Sequence, residues 1–147
     1  MLTRPSPDGD ATQTALARLA QMLGPRVSSA AGVLADHGRS EAYHAALPPD
    51  LVVFPETTDE VQGIVTLCRE LQLPIIPFGA GTSLEGNAAA PLGGVCLDMS
   101  RMDKVLAVSP EDMDVRVQPG ITRKQLNAQL RDTGLFFPID PGADASI

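Results

Sequence analysis

Tryptophan is absent, tyrosine occurs once and phenylalanine four times, so only 3% of the 147 residues are aromatic. A core must therefore be built from aliphatic side chains, which a 44% hydrophobic content can supply. Basic residues are also scarce: eleven Lys and Arg stand against eighteen Asp and Glu, for a net charge of −7. Phosphate-backbone recognition draws on clustered cations, so nucleic acid is not an expected partner. No apolar run approaches the ~18–20 residues that span a bilayer, and "MLTRPSPDGDATQ" lacks the charged-then-apolar order of a secretion signal. A cytoplasmic chain is expected, at most peripheral to the inner membrane. The two cysteines, Cys68 and Cys96, form no CxxC pair, which excludes a zinc-ligand set and a disulfide framework. Cys68 falls on the apolar stripe of a predicted helix and Cys96 inside "GVCLDM", so both are expected to be buried thiols.

The length suits about one domain. Residues 1–47 read as a polar, helical segment: "ATQTALARLAQML" stops at Gly24 and Pro25, and a weaker helical stretch runs from Ser28 to His44. From Pro48 the texture changes to short apolar runs alternating with helices. "LVVF" (Leu51 to Phe54) is a strand candidate. The next helix opens at Thr57 with Glu60 in the capping-box position, and Val61, Ile64, Val65, Cys68 and Leu71 recur at helical spacing. Ile75 and Ile76 complete a strand-helix-strand unit suited to parallel strands. Further strands are predicted at Gly94 to Met99, Lys104 to Ser109 and Asp114 to Gly120, with "SPEDMD" as a hairpin turn. A second capping box, Thr122 with Gln125, starts a helix that Ile121 can staple to Leu126 and that Gly134 ends. "LFFPID" reads as one more strand.

What is abundant is glycine, concentrated in "PIIPFGAGTSLEGN" (Pro74 to Asn87), a loop with no Lys or Arg. The dinucleotide fingerprint GxGxxG fails because Leu84 occupies the third glycine's place. The P-loop pattern aligns from Gly81 to Gly86 but meets Asn87 where lysine is required. What is left is a loop whose glycines let N–H groups converge on an anion, with Thr82 and Ser83 as added hydroxyl donors. From Gln72 to Leu97 the only charged residue is Glu85. Such neutral donors suit a diphosphate that is held rather than hydrolysed. The alternative from spacing alone is a plain turn between strands.

"PDLVVFPETTDEV", "LPIIPFGAGTSLEGN", "VQPGIT" and "FFPIDPGADASI", in this order, resemble the PCMH-type FAD-binding domain of the vanillyl-alcohol oxidase and p-cresol methylhydroxylase superfamily. The branch resembled is that of cytochrome-linked D-lactate dehydrogenase and the flavin subunit of glycolate oxidase, over residues 48–147. The resemblance implies an α+β or α/β fold of two α/β subdomains with FAD between them, the second incomplete here. It implies that Pro77, Gly79, Ala80, Gly81, Thr82, Ser83 and Gly86, with Asn87 beyond, contact the pyrophosphate, and that Pro141, Gly142, Ala143 and Ser146 form a second cofactor segment. Thr82 stands where some members carry a covalently attached His, which implies noncovalent FAD.

By the same resemblance the chain is expected to be the N-terminal part of an FAD-dependent 2-hydroxy acid oxidoreductase. Its partners would be a small hydroxy acid and a cytochrome, quinone or electron-transfer flavoprotein. The family's substrate cap and histidine-rich catalytic positions have no counterpart in this sequence, so no catalytic and no metal-ligating residue is assigned. The alternatives are a flavin-binding electron-transfer subunit, a reductase of the same superfamily, or an inactive truncated gene product. His37 and His44 are read as surface or capping residues, and Asp140 and Asp144 as turn residues.

Overall fold

The computed structural model describes residues 9–39, 43, 45–140 and 142–147. Helix α1 (Gly9–Leu23) sets Ala15, Leu19 and Leu23 four residues apart, which puts them on one buried stripe. The chain then forms β1 (Val27–Ser28), α2 (Ala31–His37), β2 (Leu51–Val53), α3 (Thr58–Glu70), β3 (Ile75–Phe78) and β4 (Val95–Asp98). The strand order is β1-β2-β4-β3, with β2, β4 and β3 parallel and β1 antiparallel along β2. β4 thus enters between the two strands of the β2-α3-β3 unit. Pro77 has no N–H to give a further strand, which fits β3's place at the edge of the sheet.

Side chains alternate across a strand, so Leu51, Val53, Val95 and Leu97 face α1 and α3 and join Leu19, Ile64, Leu67 and Cys68 in one core. Val52 and Cys96 point to the other face and are also fully buried. Both thiols are therefore buried as expected. Burial pushes Cys68 up to about 11, and burial together with the Asp98 charge pushes Cys96 up to about 12. Ser28, expected to open a helix, lies in β1; the helix starts three residues later at Ala31. A two-residue strand carries too little pattern to be read from sequence and exists through its pairing with Val52 and Val53.

Thr57 caps α3 as expected, its Oγ1 accepting from Glu60 N at 3.2 Å. The reciprocal half is shared: the Thr57 main chain is one of the groups that hold the Glu60 carboxylate in its charged form. Glu60 also accepts from Glu56 N at 2.7 Å and from both arms of the Arg26 guanidinium, at 2.7 and 2.5 Å. The charge-assisted bidentate pair is the stronger of these contacts. The Arg26 hydrogen bonds are the main reason that Glu60 is lowered to about 2.

β5 (Val105–Ser109) and β6 (Asp114–Val117) form an antiparallel hairpin through the predicted turn. Helix α4 (Arg123–Leu130) carries the complete Thr122–Gln125 box, and Gly134 ends it in a left-handed conformation (φ 75°) after a short 3-10 turn. Ile121, Leu126 and Leu130 make a second, smaller core against Val105, Val115, Val117 and Phe137. The stretch "LFFPID" is not a strand. Its Phe137 main chain is taken by a side chain: Phe137 N donates to Asn127 Oδ1 at 2.7 Å and Asn127 Nδ2 donates to Phe137 O at 3.3 Å. An amide that satisfies both groups stands in for a neighbouring strand, and Pro138 next to it has no N–H to extend a ladder. No helix among the described residues is long and apolar enough to cross a membrane.

Candidate cofactor-binding site

β3 runs straight into the glycine loop at the carboxyl ends of the parallel strands, the usual place for a ligand in such a sheet. Two glycines there make room for neighbouring side chains. A Cβ on Gly79 would collide with Ser146 Oγ, and one on Gly81, which sits at φ +68°, would stand 2.7 Å from Phe78 Cζ. Ser146 reaches the loop because the start of α4 holds the segment before and after it. Thr122 and Ser146 form an isolated bridge, Arg123 N donates to Ala145 O at 3.2 Å and Ile147 N donates to Ile121 O at 3.0 Å. Ala80 N then donates to Ser146 Oγ at 3.2 Å, joining residues 66 apart in sequence.

These two segments enclose a cavity of about 170 Å³. Of the residues named from sequence, Pro77, Gly79, Ala80, Gly81, Thr82, Ser83, Asn87 and Ser146 line it. Gly86 does not; at φ 75° it shapes the loop, its carbonyl accepting from Ala89 N at 3.0 Å. Gly142 and Ala143 are exposed and outside the lining, and Pro141 lies outside the described residues. Phe78, Ala88 and Ala145 line the cavity without having been named, although each adjoins a named residue.

No cation lines this cavity, and Glu85 in the loop is exposed with its N–H donating to Ser83 Oγ at 3.3 Å. The amides of Gly81, Thr82 and Ser83 make no hydrogen bond among the described residues. The donor set along this cavity is therefore neutral, which fits a diphosphate whose charge is spread over several N–H groups. The cavity is smaller than the roughly 300–1,000 Å³ of ordinary ligand pockets, so it suits part of a dinucleotide.

His37 is one of two histidines, and His44 lies outside the described residues. His37 ends α2 with its Nδ1 2.8 Å from Val33 O, and Gly38 takes the cap position. The expected surface position is not found, because His37 is 9% exposed and its Nε2 lies 2.8 Å from buried Asp98 Oδ2. Its partner is 61 residues away, out of reach of local pattern reading. Asp140 pairs with Arg123 at 3.1 Å and Asp144 accepts from Lys124 N at 3.3 Å, so the two carboxylates serve α4 separately. Among the described residues, no three His, Cys, Asp or Glu cluster as metal ligands.

The profile of a family described as FAD binding domain matches residues 49–147. The chain belongs to that family. FAD is thus the cofactor of the domain, and the donor set fits its diphosphate. Among curated relatives of the FAD binding domain, a probable mitochondrial D-lactate dehydrogenase of Danio rerio is 53% identical over 82% of this chain and 24% of its own. A mitochondrial D-lactate dehydrogenase [cytochrome] of Arabidopsis thaliana is 51% identical over 76% of this chain and 20% of its own. Glycolate oxidase subunit GlcD of Bacillus subtilis is 33% identical over 86% of this chain and 27% of its own. In structure, an alkyldihydroxyacetonephosphate synthase superposes with a TM-score of 0.80 at 25% identity, covering 96% of this chain and 28% of that one. The chain spans about a quarter of the length of these relatives.

Proposed function

We propose that this FAD-binding chain serves an FAD-dependent 2-hydroxy acid oxidoreductase, holding the cofactor's diphosphate without a covalent bond. D-lactate is the substrate class first in line and a cytochrome the acceptor, on the strength of the relatives' names. The observation that carries the reading is the meeting of the glycine loop and the Ser146 segment around one cavity lined by neutral residues. Loop amides from Gly81 to Ser83 would take the phosphate oxygens, with Thr82 and Ser83 hydroxyls as further donors, while Gly79 and Ala80 tie the loop to Ser146. Ser146 would close the site from the second subdomain. Pro77 and Asn87 would flank the site. Pro141, Gly142 and Ala143 would contribute through the position of their segment. When bound, FAD supplies the hydride acceptor. The chain's own residues bind and orient; none is assigned to proton transfer.

Titration of the 147-residue chain with FAD is the test. Saturable quenching of flavin fluorescence is expected, together with a raised unfolding midpoint, because the ligand binds only the folded state. Gly79→Val, which drives a side chain into Ser146, is expected to weaken binding by at least ~tenfold. Wild-type chain that shows neither quenching nor a raised midpoint overturns the reading. Thr82 offers no covalent link, so acid or denaturant should release all the flavin; flavin that stays with the denatured chain would contradict this. D-lactate-dependent dye reduction by the full-length protein tests the substrate class.

A further inference from the structure

We propose that His37 and Asp98 form a positioning pair that holds the Phe78 ring against Gly81 and thereby fixes the shape of the glycine loop. This rests on reading the loop as the diphosphate site. It adds a residue that lies outside the family match at 49–147.

The contacts run without a gap from Asp98 to the loop. Asp98 Oδ1 accepts from Ser100 N at 2.8 Å, which locks the carboxylate and leaves Oδ2 for His37 Nε2–H at 2.8 Å. The opposite ring nitrogen donates to Val33 O at 2.8 Å. Both ring nitrogens thus have a partner within hydrogen-bond distance. Held at both nitrogens, the ring cannot turn without leaving a buried acceptor unpaired. Its faces and edges then act as a fixed wall. Phe54 meets it edge-on at 5.9 Å and Phe78 lies tilted against it at 4.6 Å.

Phe78 and Asp98 are register partners on neighbouring strands, so the sheet itself sets their spacing. The Phe78 ring also abuts Gly81, where a Cβ would come within 2.7 Å of Cζ. The ring is therefore clasped between an immobilised imidazole and the loop main chain. Gly81 begins the run of unbonded amides, Gly81 to Ser83. A ring free to swing would let Gly81 leave its left-handed conformation and turn those donors away.

Two readouts on the 147-residue chain test the pair: FAD affinity, and the Gly81 proton resonances without FAD, which the Phe78 ring current displaces. His37→Leu is expected to stay folded, to lose the Gly81 displacement, and to bind FAD roughly tenfold more weakly, as for one misdirected hydrogen bond to a charged group. Phe78→Leu, which leaves the His37–Asp98 pair in place, is expected to do the same. If His37→Leu does not fold, Asp98→Asn is measured in its place with the same expectation. Unchanged Gly81 resonances and unchanged affinity in the folded variants overturn the positioning role while leaving the FAD reading intact. Wild-type chain that does not bind FAD overturns that reading instead, and the Gly81 resonances alone then decide whether His37 holds Phe78.

Discussion

The sheet region and the hairpin region of this molecule bury their apolar side chains to very different depths. In the first, α1, α3 and the central strands share a core with eleven buried residues among those described, and Val52 and Cys96 are buried on the other face of the sheet. In the second, β5, β6 and α4 close over three, and Leu106, Met113, Phe136 and Ile139 stay exposed, Met113 at 79% and Phe136 at 72%. Caps and main-chain ties do more of the work where the core is small. The complete Thr122 box, the Asn127 clamp on Phe137 and the bridge to Ser146 all belong to the second region.

The largest effect that separates the two regions is expected from core truncation. Leu19→Ala should cost about 4–5 kcal/mol and Leu126→Ala about 2–3 kcal/mol, read from urea unfolding, although both side chains are fully buried. Equal losses would break the comparison, because they would mean that the small core cannot collapse around the gap any better than the large one.

Next comes the ion pair that fastens β1 to α3. Glu60 is held at about 2 against an ordinary value of 4.5, first through the hydrogen bonds from Arg26. A lowered folded-state value means stability that is fully present above pH 4.5 and lost as the pH falls toward 2. The loss should be on the order of 1 kcal/mol for a partly exposed pair. Arg26→Met should remove most of this acid dependence; a variant with the same slope would show that other carboxylates carry it.

A similar but localised effect is expected at the caps. Thr122→Ala should cost about 1 kcal/mol, and Thr57→Ala less, since Glu60 is anchored by Arg26 as well as by the cap. Thermal unfolding of the two variants side by side gives the order. The smallest effect is on reactivity. With thiols raised to about 11 and 12, Cys68 and Cys96 should alkylate only as the sheet region opens, so iodoacetamide labelling at pH 8 should follow its unfolding. Fast labelling of the folded chain would show that this core is looser than its burial implies.

Much of this architecture was legible in the sequence wherever a signal is local. The caps at Thr57 and Thr122 and the stop at Gly134 each occupy a few consecutive residues and appear where expected; the stripe on α3 does so at Ile64 and Cys68, with Val61 and Leu71 partly buried, while Val65, expected on it, is 42% exposed and its place is taken by Leu67. The glycine loop was legible because two familiar signatures fail in it at Leu84 and Asn87. What escaped depends on distant partners. β1 exists through β2, Glu60 turns to Arg26 34 residues away, and His37 is buried by a carboxylate 61 residues away. "LFFPID" erred in the opposite sense: its short apolar run reads as a strand, but among the described residues a single asparagine amide takes the Phe137 main-chain bonds that a strand would offer.

Gly79 and Ser146 share one volume, since a methyl group at the first would occupy the place of the hydroxyl at the second. In genetic terms the two positions are coupled, since a larger residue at the first makes the hydroxyl at the second turn away and give up its bond from Ala80 N. A chain disabled by Gly79→Ala should regain its fit when Ser146→Ala is added, a suppressor that would couple the two halves of the molecule through one oxygen atom.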